Sequence, residues 1–292
     1  MRHAYLITIH KDFRILELFI RTLERKGNDF FILIDKKTGL SLADVCSYIP
    51  KDSKIIEVTS IPVNWGSFSL INSELKLLKE AVKGKYDYYH YMQGADFPIK
   101  TEKEINEFFK NHQGMNFIDF EPLNYEFAKF KCDYWHMFVE NPWYRTSKIL
   151  KFFNHGFVKI QKMLHINRHD RELFHGSGLC SITHECAMYI VGIMSDITQR
   201  YKYCLAADEV FLQTEIYHSK FKDTLYKNGN RYSNARFIDW EHRQGSSPYT
   251  FKKDDFELLM NKNDAMFARK FDENNFGIVK MLYQYLKLGK EY

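Results

Sequence analysis

The sequence has no paired-cysteine motif. Its five cysteines, Cys46, Cys132, Cys180, Cys186 and Cys204, are scattered over 292 residues, with no Cys-x-x-Cys and no Cys/His cluster at zinc-ligand spacing. This excludes a zinc ribbon or a disulfide scaffold, and the odd number predicts reduced, mostly buried thiols in a reducing compartment. Proline is scarce, at six residues, and no proline-rich linker, repeat or low-complexity stretch divides the chain. Long apolar runs are missing too. The run from Ala4 to Ile9 is stopped by Lys11 and Asp12, far short of a signal-peptide core or a membrane span, so no anchor is expected. Neither the phosphate-binding loop of nucleotide hydrolases nor the dinucleotide fingerprint occurs.

What is present is an ordinary globular mixture, enriched in aromatic residues to 16% with 19 Tyr and 25 Phe. Such rings build a bulky core or stack on sugars and bases, and the core is the simpler reading. A net charge of +5 and a pI near 8.7 favour anionic ligands, such as nucleotide diphosphates or an acidic membrane surface. Apolar runs at 4–9, 29–34, 54–58 and 86–92 predict strands. Between them, Ile15, Leu16, Phe19, Ile20 and Leu23 recur at helical spacing, as do Leu70, Leu75, Leu77, Leu78 and Val82. Further helices are expected over 184–201, from about Ala207 and over 275–288, with a strand at 236–240. The alternation predicts an α/β fold with a central, mostly parallel sheet flanked by helices, whose ligands sit beyond the carboxyl ends of the strands. His10, Asp35 and Gly94-Ala95-Asp96 lie at such ends. Residues 1–292 read as one domain, with an irregular insertion at about 121–171.

Asp208-Glu209 opens the apolar-periodic stretch Val210, Phe211, Leu212, Thr214 and Ile216. Such a pair is commonly a capping aspartate beside a dipole-favoured glutamate. Alternatively, Asp208 caps while Glu209 projects into a cleft as a general base able to take a proton from a sugar hydroxyl. Phe267-Ala268-Arg269-Lys270-Phe271-Asp272 sets two cations between aromatic residues, and Arg243 follows Trp240-Glu241-His242. Cations of this kind are usually solvated surface charge. They also suit a departing diphosphate, which guanidinium and ammonium groups neutralise without a bound metal. No Asp-x-Asp stands near Asp96, where a metal-dependent nucleotide-sugar enzyme carries its cation ligands, so metal independence is expected.

Eight segments run in order across nearly the whole chain: Ala4-Tyr5-Leu6-Ile7 through His10, Phe31-Ile32-Leu33-Ile34-Asp35-Lys36-Lys37, Asn64-Trp65-Gly66-Ser67, Gly94-Ala95-Asp96-Phe97-Pro98-Ile99-Lys100, His175-Gly176-Ser177, Ala207-Asp208-Glu209, Phe237-Ile238-Asp239-Trp240, and Phe267 through Asp272. Together they resemble the core-2/I-branching β-1,6-N-acetylglucosaminyltransferase family, glycosyltransferase family 14, whose relatives include peptide O-xylosyltransferases. The resemblance implies a GT-A-type fold, a UDP-sugar donor, a carbohydrate acceptor, inversion at the anomeric carbon and no metal. It makes 1–115 the nucleotide-binding half and 116–292 the acceptor and catalytic half. By position, Glu209 resembles the family's catalytic base, Lys270 the lysine on the donor diphosphate, Arg243 its arginine partner and Asp35 the uracil-contacting aspartate. His10, Asp96 and Arg269 complete the expected donor site; Glu121, Ser177 and Trp240 are the expected acceptor contacts. N-acetylglucosamine is the first donor sugar to expect, ahead of xylose and glucuronic acid. Animal members carry an N-terminal anchor and disulfides, so this chain resembles a bacterial-type, cytoplasmic member acting on a surface polysaccharide, lipooligosaccharide or lipid-linked glycan.

Basic and apolar residues interleave from Arg145 to Arg171. The pattern fits peripheral contact with an anionic membrane, or a helix packed on the core with a solvated basic face, and the latter is the favoured reading. The rival function is a non-catalytic glycan- or nucleotide-binding protein of the same fold. No nucleic-acid motif is present, and no nucleic-acid partner is expected.

Overall fold

The computed structural model describes residues 1–121, 125–169, 171–243 and 245–289, leaving aside the side chains of Tyr125 and Glu126. The first half runs β1 (His3–Ile9), α1 (Phe13–Leu23), β2 (Asn28–Ile34), α2 (Leu42–Val45), β3 (Ile55–Glu57), α3 (Phe68–Ala81), β4 (Tyr88–Gln93), β5 (Asp96–Pro98) and α4 (Glu102–Asn111). It continues with β6 (Phe117–Ile118), α5 (Tyr125–Cys132), α6 (Lys148–Met163), β7 (Cys180–Thr183), α7 (His184–Gly192), α8 (Met194–Tyr201) and α9 (Phe211–Tyr217). Last come the hairpin β8 (Lys227–Asn228) and β9 (Arg231–Tyr232), then β10 (Arg236–Ile238), α10 (Phe256–Met260), β11 (Phe267–Arg269) and α11 (Phe276–Leu288).

The main sheet has the order β3-β2-β1-β4-β7-β6, parallel from β3 to β4 and antiparallel at β7 and β6. All seven residues of β1 and of β2 are buried, which is why their apolar runs show no alternation: the sheet is covered on both faces. On one face Leu6, Phe31, Leu33 and Tyr91 meet Ile71, Leu75 and Leu78 of α3. On the other, Tyr5, Ile7, Ile32 and Met92 meet Leu16 and Phe19 of α1 and Ile278 and Leu282 of α11. Much of the aromatic content goes into this second layer, where Tyr5 stacks on His90 and Phe109 packs against Tyr88 and Phe117. A second sheet, β10-β11-β5, joins the end of β4 to the late part of the chain.

Three local expectations are corrected. The helix foreseen over 184–201 is two, α7 and α8, because Ile193 after Gly192 has φ −103° and ψ 17°, outside the helical range. The strand foreseen to residue 240 ends at Ile238. The irregular 121–171 span contains α5 and α6, with residues 122–124 and 170 outside the described set. All five cysteines are free and buried. No described helix is long and apolar enough to cross a membrane.

The topology gathers several chain segments at one edge. β1, β2 and β4 run parallel, so His10, Asp35 and Gly94 emerge together at their carboxyl ends. Because β7 is antiparallel with Cys180 opposite Tyr91, the loop that enters β7 from His175 starts at the same edge. Arg269 sits opposite Asp96 where β11 meets β5, which places Lys270 just beyond.

Candidate active site

Glu209 closes a short 3-10 turn, Ala207–Glu209, that leads into α9. The turn is fixed from three sides. Ala206, in the left-handed region with φ 48°, donates its N–H to the Gly66 carbonyl at 2.7 Å. The Gly176 N–H donates to the Glu209 carbonyl at 2.9 Å, and a Cβ on Gly176 would lie 2.1 Å from the Asp119 carbonyl oxygen, so only glycine fits there. The Gln213 amide donates to the carbonyls of Ser177 at 2.7 Å and Asp119 at 3.1 Å. The Ser177 hydroxyl accepts from the Leu179 N–H, so this serine braces its own loop.

The Glu209 carboxylate is hydrogen-bonded by the Lys131 ammonium and lies 3.2 Å from His175 Nε2. His175 Nδ1 is 2.9 Å from Glu121 Oε2, and Lys131 Nζ is 2.9 Å from His175 Nε2. The row Glu121, His175, Glu209 is thus bridged by an imidazole and closed by a buried lysine. Burial pushes the Glu209 carboxyl up, but the His175 hydrogen bond and the charge and hydrogen bond of Lys131 outweigh it and bring it down to about 2. Burial likewise opposes charge on His175, yet its hydrogen bonds to Glu121 and Glu209 raise its basicity overall. The same His175 bond lowers Glu121. With 42% of its side chain exposed, Glu209 is an ionised carboxylate open to a ligand. The Phe127 ring, 43% exposed, packs on both His175 and Lys131 and forms an apolar wall beside it.

Asp208 does not cap α9. It lies inside the 3-10 turn, which makes no side-chain cap, and its buried Oδ1 has no hydrogen-bond partner among the described residues. Burial and then the charge on Glu209 push its carboxyl up to about 7. Neighbouring acids therefore sit in opposite states at acidic pH, Asp208 protonated and Glu209 charged and open to solvent.

At the carboxyl end of β2, Asp35 is buried and its Oδ1 accepts from the N–H groups of Lys37 at 3.0 Å and Val63 at 3.2 Å. Lys37 Nζ in turn donates to Asn64 Oδ1 at 3.2 Å, tying the end of β2 to the Trp65-Gly66 turn that supports Glu209. Trp65 is exposed, with the Arg145 guanidinium 5.2 Å from its ring centre. His10 is exposed at the end of β1; partial burial of its ring and then the charge of Lys11 lower its basicity. Buried Asp96 accepts from Arg269 Nη1 at 2.7 Å and from the Gln93 N–H at 2.8 Å, and Arg269 Nη2 donates to Gln93 Oε1 at 2.6 Å. Two of the Arg269 donors are therefore held within the protein.

The Lys270 ammonium, by contrast, donates to the Ser247 hydroxyl at 3.0 Å. Burial, followed by the charges of Lys11 and Arg269, draws its ammonium down, as expected of a cation lodged among cations. Tyr249 links it to the Trp240–Arg243 turn, donating to the Asp239 carbonyl at 2.9 Å and accepting from the Lys270 N–H at 3.3 Å. Trp240 and Arg243 are exposed on that turn. The expected residues thus form two groups on one edge: Glu209, Glu121 and the Ser177 loop at one end, Asp96, Arg269, Lys270, Trp240 and Arg243 at the other, with His10 and Asp35 beside them at the ends of β1 and β2. Among the described residues, no group of three or more His, Cys, Asp or Glu could hold a metal ion.

Sequence reading missed Lys131 and the contacts of His175. Lys131 lies 78 residues from Glu209 in a segment with no motif, and only the fold brings it in. His175 stands in one of the matching segments, but nothing in the sequence pairs it with two carboxylates.

This geometry stands beside clear kinship. The family model described as Core-2/I-Branching enzyme matches residues 3–262, and the chain belongs to that family. Xylosyltransferase 1 of Rattus norvegicus is 23% identical over 98% of this chain and 35% of its own length. An N-acetyllactosaminide beta-1,6-N-acetylglucosaminyl-transferase of Homo sapiens is 24% identical over 94% of this chain and 69% of its own. The chain spans about a third of the length of the xylosyltransferases it matches. The apo structure of mouse xyloside xylosyltransferase 1 covers 94% of this chain and is itself covered to 99%, at 10% identity and a TM-score of 0.37, a likeness too slight to bear on the fold.

Proposed function

We propose that this chain is an inverting, bacterial-type glycosyltransferase. It moves a sugar, N-acetylglucosamine first among those to test, from a UDP-sugar to a glycan hydroxyl without a divalent metal, in cytoplasmic synthesis of a surface polysaccharide or lipooligosaccharide. The observation that carries this reading is Glu209, a half-open carboxylate kept ionised by Lys131 and His175 at the sheet edge where Lys270 also emerges. Glu209 takes the proton of the acceptor hydroxyl as that oxygen bonds to the anomeric carbon. The bond from that carbon to the UDP oxygen breaks, the diphosphate leaves with the electron pair, and one displacement inverts the centre.

Charge gathers on the leaving phosphate as that bond stretches. Lys270, Arg243 and the remaining Arg269 donors face it, and fixed cations stabilise the charge where it grows. In this reading Asp96 aims Arg269, and Asp35 and His10 hold the uracil end. Glu121, Ser177 and Trp240 flank the acceptor, which is lipid-linked where the protein meets a membrane. Residues 1–292 act as one domain.

The test is UDP release from a panel of UDP-sugars with glycan acceptors, with and without EDTA. Release from one donor, undiminished by EDTA, is expected. Loss of release on chelation would sink metal independence. UDP binding without turnover for any donor and acceptor would favour a non-catalytic binding protein.

A further inference from the structure

Helix α6, sixteen residues from Lys148 to Met163, is turned the opposite way from a core-packed helix. Its buried positions are Asn154, Val158 and Gln161. The side chains of Ile149, Phe152, Phe153, Ile160 and Met163 face outward, Phe152 75% exposed and Met163 79%. At helical spacing these five share one stripe, while Lys148, Lys151, Lys159 and Lys162, all exposed, share its flank. The helix contains no acidic residue. Exposed Trp143 stands in the turn that enters it.

We infer that α6 docks on an anionic lipid bilayer, lying in the plane of the interface. Such a surface answers both halves of the face at once, since acyl chains take the apolar stripe and headgroup phosphates neutralise the lysine flank. A second copy of the chain would offer an apolar stripe but only the same lysines for the flank. The helix is also fixed to the block that supplies Lys131. Gln161 accepts from the Trp135 N–H at 2.8 Å, and Asn154 Nδ2 lies 3.0 Å from His136 Nδ1, four and five residues beyond Lys131. Docking would therefore set the height of the Glu209 site above the membrane, whichever sugar is moved, and the inference does not depend on the transferase reading.

The test is co-sedimentation of the full chain with phosphatidylglycerol–phosphatidylcholine vesicles and with phosphatidylcholine alone. Pelleting with the anionic vesicles, weakened by high salt, is expected. Phe152→Glu with Met163→Glu should weaken it by about tenfold or more, and Lys151→Gln by about fivefold. Circular dichroism and UDP release with a soluble acceptor should be unchanged in these variants. The inference fails if the wild-type chain stays in the supernatant or if the double-glutamate variant pellets equally well. It also fails if lipid-free sedimentation shows a dimer that this variant dissolves, which would assign the face to a second copy.

Discussion

Replacing Lys131 with Met and His175 with Gln removes both groups that hold the Glu209 carboxylate ionised. A neighbouring cation depresses an acid by about 1–3 pH units. Because 42% of the Glu209 side chain faces solvent, the lower half of that range applies to each partner. Burial then remains, with the negative charge of Glu121 alongside, and both push the carboxyl above its ordinary 4.5. The group climbs from about 2 past 4.5, and at about 1.4 kcal/mol per unit its charged form loses roughly 3.5 kcal/mol of preferential stabilisation. The assay is kcat/KM for sugar transfer against pH, scaled to each protein's own plateau, with circular dichroism at each pH. The wild-type profile should have no acid limb from this group in the range where the fold persists. The double variant should lose activity as pH falls through roughly 5, with the single variants between. A folded double variant whose acid limb stays where the wild type's lies would refute the coupling of these three side chains.

Other outcomes follow from the same structure. Lys270→Ala removes a charge-assisted phosphate contact of about 1.5–3 kcal/mol, so UDP affinity by calorimetry should fall about 10- to 100-fold; an unchanged affinity would take Lys270 out of the donor site. Glu74 is pushed well above 4.5 by burial and then by Asp208. Above that pH the unfolded chain has released a proton that the folded chain keeps, so stability declines by about 1.4 kcal/mol per unit until the folded carboxyl ionises. Glu74→Gln should flatten this slope and raise Tm more at pH 8 than at pH 5, and a parallel shift at both would count against it. Gly176→Ala drives a methyl into the Asp119 carbonyl; a loss of about 1–3 kcal/mol in thermal unfolding is expected, and wild-type stability would show that the loop gives way freely.

The strands were legible because burial on both faces writes itself as unbroken apolar runs, and β1 and β2 lie within a residue of the expected bounds. Glu209 and Lys270 could be singled out because each stands in a segment that matches a family pattern. Asp208 was misread as a cap because an acid before an apolar stretch usually caps, whereas here a left-handed Ala206 and the Gly66 carbonyl turn it inward. Lys131 carried no local sign, since its partner is 78 residues away. The orientation of α6 was hidden for a different reason. Its apolar and basic residues alternate alike whether the stripe faces in or out, and only the hydrogen bonds of Asn154 and Gln161 reveal that a polar edge faces the protein.

The most direct test of the account is Glu209→Gln, measured for UDP-sugar affinity and for the rate of transfer under single-turnover conditions. The variant keeps the shape of the side chain and loses its capacity to take a proton, so donor affinity should hold while transfer slows by about 10²-fold or more. Transfer at the wild-type rate would contradict the account, because the acceptor hydroxyl would then be activated by some other group.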